Sequence, residues 1–388
     1  MTLPISITSI GSFSSLGNTN ERVWESYLTG TTLIKNIPIG LNDVPAACIP
    51  AQLRDEVDQL RKSDLKYSIL DDSVLYAIMA SRSAVKTAGW DDKSTFGINI
   101  GSSRGATQLF EKHHAEYIAT GKTAVHASPS STLGNISSWV AHDLKSAGPE
   151  ISHSITCSTA LHALLNGVAW LRAGMAEKFL VGGSEAPLTA FTIAQMQAMK
   201  IYSSEGGALP CRALDMEKRK NSLVLGEGAA SACLEAGRIP NALAYIEGIG
   251  YATEILKHSA SISADAECLQ RSMAMALKDV DIKNVDAVVM HAPGTIKGDT
   301  SEYTALQKIF GSSMPLLTTN KWMVGHTFGA SGLLSLEMAI LMMKHNKFIG
   351  LPYGEAAHKT GGTRNIRKVL INAVGFGGNA VSVLLTKK

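Results

Sequence analysis

The amino-acid sequence predicts a layered α/β fold assembled from two copies of one plan, residues 1–238 and residues 239–388. Strand-like and helix-like stretches alternate along the chain, the pattern expected when helices cover a sheet. The order of these stretches in the first part returns in the second, and glycine-rich turns fall at matching places. Residue identity between the copies is slight, so the repeat is one of element order.

Taken in order, residues 5–11 read as a strand whose counterpart is residues 244–250, and both carry Ile-x-x-Ile-Gly. Residues 96–101 correspond to residues 285–290, each running into a glycine-containing loop. The amphipathic helix expected over 159–173, stopped by Gly174, has its counterpart over 330–344. Strand material follows each helix, at 178–181 and at 368–373. Then come Gly226-Glu-Gly228 and Gly375-Phe-Gly-Gly378, and the strands 230–234 and 380–385. A duplicated fold places the two equivalent helix N-termini near each other at its pseudo-symmetry axis. Cys157 opens one of these helices and His326 precedes the other, so residues far apart in sequence can share a pocket.

Composition excludes several classes of function. The 388 residues exceed an ordinary domain, and 45% hydrophobic against 18% charged residues suits a large buried core. A net charge of +3, evenly spread, gives no footprint for nucleic acid. Five cysteines, at 48, 157, 211, 233 and 268, form no CxxC pair and no zinc spacing, which points to a reducing compartment and no metal site. The first residues carry neither a basic n-region nor a long apolar h-region, so a secretory signal is not expected and the cytoplasm is the expected location. The most apolar run, residues 333–343, is short and contains Glu337, which reads as a buried helix rather than a membrane span.

Three segments carry the chemistry. Cys157 stands where the stretch Ser-Ile-Thr-Cys-Ser-Thr-Ala gives way to a helix, whose first-turn N–H groups favour a thiolate and can bond an oxyanion formed beside it. His291 begins His-Ala-Pro-Gly-Thr-Ile-Lys-Gly-Asp299 at the end of a predicted strand, where sites in α/β sheets are built. His326 lies in Asn320-Lys-Trp-Met-Val-Gly-His-Thr-Phe-Gly-Ala-Ser-Gly332, a loop rich in small residues that feeds a helix, with Lys321 five residues before it. The other nine histidines read as solvated or packing residues.

These residues give the chain a resemblance that runs over essentially its whole length. With Trp24-Glu-Ser-Tyr-Leu-Thr-Gly30, Gly148-Pro149, Gly182-Gly-Ser-Glu185 and Leu225-Gly-Glu-Gly-Ala229, they make it similar to a β-ketoacyl-[acyl carrier protein] synthase of the elongating, Cys-His-His type. That family belongs to the thiolase-fold condensing enzymes, so the resemblance implies a duplicated, layered α-β-α-β-α fold. It also implies a dimer, homodimeric or paired with a related subunit, and an acyl carrier protein as partner, whose phosphopantetheine arm brings the substrate with no bound cofactor.

The implied reaction is transfer of an acyl group to a cysteine, decarboxylation of a malonyl thioester and attack of the resulting enolate on the acyl-enzyme, in fatty acid or specialised polyketide or polyene biosynthesis. By this resemblance Cys157 is the nucleophile, and its own N–H and that of Phe376 form the oxyanion hole. His291 and His326 donate to the enolate, while Lys321 with Glu302 organises the histidines. Asp299 supports the loop, and Thr295 meets the arm. Arg61, Lys62 and Lys66 are candidates for meeting an acidic carrier, although the same residues read equally as a solvated charged face.

Departures from the family pattern qualify the substrate. The usual Ala-Cys-Ala is Thr156-Cys157-Ser158, Ala292-Pro293 follows the first histidine, and Val374 and Asn379 flank the glycine turn. Arg104, in Ser-Ser-Arg-Gly105, stands where the family places an apolar residue near the acyl pocket. A buried arginine there needs a partner, so either Arg104 pairs with a carboxylate such as an interface acid or the acyl pocket is short or polar. One alternative is a non-catalytic subunit that sets chain length for a sister ketosynthase, a class that typically lacks the cysteine. Thiolases and starter-type synthases, with Cys-His-Cys and Cys-His-Asn sites, fit less well because Lys321-x4-His326 supplies a second histidine.

Overall fold

Short runs rich in Ile, Val, Leu and small residues become strands, and glycines mark where another element must approach them closely. The structure, a computed structural model, describes residues 3–40, 42–91, 95–131, 133, 135–204, 206–255, 262–354 and 365–388. His258 and His358 lie outside these residues. The strands are β1 (Ile5–Ser14), β2 (Lys35–Ile39), β3 (Asn42–Ala47), β4 (Gly97–Gly101), β5 (Glu150–Ile151), β6 (Lys178–Glu185) and β7 (Leu225–Gly226). They continue as β8 (Gly228–Ala236), β9 (Ala244–Thr253), β10 (Ala287–Val289), β11 (Leu316–Thr318), β12 (Lys368–Gly375) and β13 (Asn379–Thr386).

Among the described residues, ten strands form one ladder in the order β11-β10-β12-β13-β9-β1-β8-β6-β4-β5, and β2, β3 and β7 form a small second sheet. From its centre outward the ladder reads β1-β8-β6-β4-β5 on one side and β9-β13-β12-β10-β11 on the other. The senses of pairing repeat as well. β4 is parallel to β5 and β6 as β10 is parallel to β11 and β12, while β6–β8 and β12–β13 are antiparallel. The two sides meet where β1 pairs antiparallel with β9, from Ile5–Ile246 to Ile7–Ala244.

Helices repeat the same relation. Asp72–Ala88 packs on β1 and β8 as Glu267–Ala276 packs on β9 and β13. Between the two sides lie Thr159–Arg172 and Ser331–His345, which touch each other, and the second reaches strands of both sides. The glycine of the repeated Ile-x-x-Ile-Gly has a packing reason. A Cβ on Gly11 would stand 2.6 Å from the Ala80 carbonyl oxygen, and one on Gly250 would stand 2.0 Å from that of Ser272. Each outer helix therefore lies against bare strand backbone, a distance no other residue permits.

The inner helix Ser331–His345 is apolar on every face, with 13 residues buried from Ser331 to Met343. Such a helix is stable only in the interior of a larger protein. Glu337 is the exception to its chemistry: fully buried, with neither carboxylate oxygen bonded among the described residues. Burial pushes its carboxyl up to about 7, and the nearby Ser12 hydroxyl only partly opposes the shift.

A carboxyl whose folded pKa is raised keeps its proton better folded than unfolded. It therefore costs nothing below the unfolded value and destabilises progressively as pH rises toward 7, by a total on the order of 3 kcal/mol. Glu337→Gln should leave stability near pH 4 unchanged and raise it near pH 8. Urea denaturation at both pH values checks this, and an equal effect at both would remove Glu337 as the titrating group.

Candidate active site

The short bridge between Leu225 of β7 and His326 brings the second histidine segment under the small sheet. His326 N–H donates to the Val224 carbonyl oxygen at 2.6 Å, and Gly226 N–H donates to that of His326 at 3.2 Å. This approach explains the glycine at 226, since a Cβ there would lie 2.0 Å from the Val324 carbonyl oxygen. His291 lies just past the end of β10, after Met290. Its N–H and that of Ala292 donate to the two oxygens of Glu302 at 3.0 and 2.8 Å, and Asn372 Nδ2 donates to the same carboxylate at 3.2 Å. Asp299 holds the rest of that loop, accepting from Gly294 N–H at 3.0 Å, Leu214 N–H at 2.7 Å and Lys218 Nζ at 2.6 Å.

Cys157 meets both histidines. One donor atom from each of Cys157, His291 and His326 lies within 4.8 Å of the others, and the two imidazole rings stand edge to face with centroids 5.2 Å apart. All three residues are buried, and this is the group among the described residues close enough to hold a metal ion. A buried Lys321 ammonium stands close enough to act on all three.

Among the described residues, three of the eight non-glycine residues with positive φ flank these groups: Thr156 (47°) before Cys157, Ala292 (27°) after His291 and Phe328 (39°) beyond His326. Each such residue costs about 1–3 kcal/mol and persists only where its surroundings over-determine it.

Burial dominates the electrostatics. It lowers both imidazoles well below their ordinary range, and Lys321 lowers them further, so each histidine is neutral and carries one N–H. Neither Nδ1 has a hydrogen-bond partner among the described residues. Burial also lowers Lys321 and raises Glu302, while each charge favours the ionised form of the other.

The Cys157 thiol departs from the sequence expectation. Burial pushes it up to about 12, helped by Glu185, and Lys321 with the N–H groups of Cys157 and Phe376 only partly offsets this. The helix N-terminus does supply donors, but desolvation outweighs them and the resting group is a thiol. The same two N–H groups face the sulfur from opposite turns, which is the arrangement that can receive an oxyanion formed on an attached acyl carbon.

A cavity of about 280 Å³ opens onto this cluster, lined by Cys157, His291, His326 and Phe376. Its walls are apolar at Met196, Ile201, Leu223, Ile262, Phe328 and Val374, and its polar groups include Asn221, Thr295 and Lys297. Thr295 also caps the helix Ile296–Phe310 through Gly298 N–H at 3.1 Å. The sequence reading did not single out Met196, Ile201, Asn221, Leu223, Ile262 or Lys218. They carry no local signal, because segments distant in sequence supply them.

Other expected residues lie apart from the cluster. Arg104 is half-buried and donates to Gln195 Oε1 at 2.5 Å and Thr192 Oγ1 at 3.2 Å, so its partners are neutral groups of the helix Ala190–Ala198 rather than a carboxylate. That helix also carries Met196 of the cavity wall. Arg61 is bound to Asp72 and to the Leu70 carbonyl oxygen, and Lys66 Nζ lies 3.5 Å from Asp64. Lys62 is exposed. No helix among the described residues is long and apolar enough to cross a membrane.

Comparisons with known proteins place the chain in a family. The family profile described as β-ketoacyl synthase, N-terminal domain, matches residues 2–238, and that of the β-ketoacyl synthase, C-terminal domain, matches residues 243–351. The chain is 27% identical over 408 residues to a 3-oxoacyl-[acyl-carrier-protein] synthase 2 of Staphylococcus aureus, covering 97% of this chain and 99% of that protein. It is 29% identical over 411 residues to the protein of the same name from Coxiella burnetii (strain RSA 493 / Nine Mile phase I), covering 98% of each.

Among solved structures, the ishigamide ketosynthase/chain length factor superposes with a TM-score of 0.88 at 19% identity, and a β-ketoacyl synthase from Burkholderia phymatum STM815 with 0.85 at 22%, each over 100% of both chains. A type II PKS acyl-carrier protein in complex with its ketosynthase bound to the hexaketide gives 0.85 at 18%, again over 100% of both chains. These likenesses share the layered, duplicated fold described above. With both family profiles matched across most of its length, the chain belongs to the β-ketoacyl synthase family.

Proposed function

We propose that the chain is a 3-oxoacyl-[acyl carrier protein] synthase that joins a Cys157-bound acyl group to a malonyl-derived unit by decarboxylative Claisen condensation. One observation carries this reading: a thiol, two neutral imidazoles and two backbone N–H donors converge at one cavity. Cys157 Sγ attacks the acyl thioester, the oxyanion rests on the N–H groups of Cys157 and Phe376, and the carrier thiol leaves with the proton released by Cys157. On the second substrate, loss of CO₂ from malonyl leaves an enolate whose oxygen accepts N–H bonds from His291 and His326. The enolate carbon then attacks the acyl carbon, and the Cys157 sulfur departs to be reprotonated.

Neutral histidines suit this work because each keeps one N–H to donate without adding a positive charge beside Lys321. Lys321 and Glu302 hold the local charge, and Asp299 with Lys218 fixes the loop that carries Thr295 along the pantetheine arm. The partner is an acyl carrier protein, approached through the surface that includes Lys62, with Arg61 and Lys66 already engaged by neighbouring carboxylates. A second subunit fits the apolar side chains left exposed on the helix Thr107–Thr120, namely Phe110, Tyr117 and Ile118. Free cysteines throughout the described residues fit a reducing cytoplasm.

Cys157→Ala should show no acyl adduct by intact-protein mass spectrometry while still decarboxylating malonyl carrier. An adduct of unchanged occupancy would refute the nucleophile. His291→Ala and His326→Ala should each keep the acyl adduct yet condense roughly a hundredfold more slowly, the loss typical of one oxyanion donor. Full condensation by either variant would remove its donor role.

Arg104 bears on the acyl end of the cavity through its bonds to the helix that carries Met196. In a series of acyl-carrier thioesters of increasing length, Arg104→Ile should shift loading toward longer chains. An unchanged length profile would make Arg104 purely structural.

A further inference from the structure

Thr156 occupies a conformation that its own side chain opposes. A β-branched residue at φ 47° is an outlier, and here it immediately precedes the nucleophile. Its surroundings show what holds it. The Thr156 carbonyl oxygen accepts from Thr159 Oγ1 at 2.6 Å and from Thr159 N–H at 3.3 Å, which ties the turn to the helix that follows Cys157. Thr156 Oγ1 donates in the other direction, to the Phe376 carbonyl oxygen at 3.3 Å.

The turn that carries Phe376 comes very close. A Cβ on Gly375 would stand 1.8 Å from Thr156 Oγ1 and 3.0 Å from the Ile155 carbonyl oxygen. Gly375 is thus required by the hydroxyl opposite it. The two turns lie 220 residues apart in sequence. Each contributes one of the N–H groups, of Cys157 and of Phe376, that face the thiol.

We propose that Thr156 is a positioning residue whose hydroxyl sets the spacing between the two N–H donors of the oxyanion hole. The inference rests on the acyl-transfer reading of Cys157. Oxyanion donors act only within a few tenths of an ångström of their working position, and these two belong to separate turns that could otherwise drift apart. Alanine would satisfy the backbone conformation with less strain but leave the turns joined by contact alone. Valine would keep the shape without the donor, and serine would keep the donor.

The test separates two reactions of the same sulfur. Alkylation of Cys157 by iodoacetamide attacks a saturated carbon and builds no oxyanion, whereas loading from an acyl N-acetylcysteamine thioester does. In Thr156→Val and Thr156→Ala, alkylation should stay within about twofold of wild type while acyl loading falls about tenfold or more, and Thr156→Ser should restore loading to within about threefold. Loading at the wild-type rate in the Val and Ala variants would overturn the proposal. A parallel fall of alkylation and loading in all three variants would overturn it too, as a general disturbance of the thiol. A wild-type protein that takes up no acyl group would instead bring down the acyl-transfer reading, and the positioning role with it.

Discussion

Removing Cys157, His291, His326 and Lys321 together from water is the condition on which the rest of the structure depends. In a hydrated cleft the imidazoles would titrate near neutrality and the thiol only somewhat above it. Buried as they are, both histidines are held neutral and the thiol protonated, so charge develops when substrate brings an electrophilic carbon to the sulfur. Donors aimed at that developing charge act more strongly there than they would in water. The buried Lys321 and Glu302 each favour the charged form of the other, and Lys321 also acts on Cys157, which couples the electrostatics of the cysteine and the histidine loop.

Keeping these groups buried and their turns strained requires a rigid frame, and the duplicated ladder supplies it. The two inner helices and the strands they touch bury a continuous apolar core around the seam. Thr156, Ala292 and Phe328 hold unfavourable φ values at the edge of that core. Thr156 is tied to Thr159 and to the Phe376 turn, and Ala292 to Glu302. The glycines at 11, 226, 250 and 375 are the complementary device, removing a Cβ wherever two backbones must touch. Strain at the site and close backbone approach around it are two aspects of one packing solution.

Much of the architecture was legible before any coordinates. The repeated Ile-x-x-Ile-Gly, the paired helices and the paired glycine turns foretold a duplicated α/β fold, because packing a helix on a strand leaves a local mark in sequence. Residues 159–173 became the helix Thr159–Arg172, and residues 330–344 became Ser331–His345. The segments around Cys157, His291 and His326 were legible for a related reason: reactive residues beside small ones, at strand ends and helix starts, form a local pattern. The cavity wall was not. Met196, Ile201, Leu223 and Ile262 are ordinary apolar residues in ordinary company, and only their convergence distinguishes them from core.

The sequence by itself determined which residues could do chemistry and that two equivalent segments would carry them, since motif and repeat are properties of order along the chain. The tertiary structure alone decided their protonation, their partners and their spacing. A helix N-terminus argued for an ionised Cys157, yet desolvation, which depends on every neighbour in three dimensions, outweighs it. The need for a buried-arginine partner left a carboxylate and a short or polar pocket open, and within the chain Arg104 donates to Gln195 and Thr192. The contact between Thr156 and Phe376 joins residues with no relation in sequence at all. Burial and distance are sums over the whole fold, and no local stretch of sequence contains them.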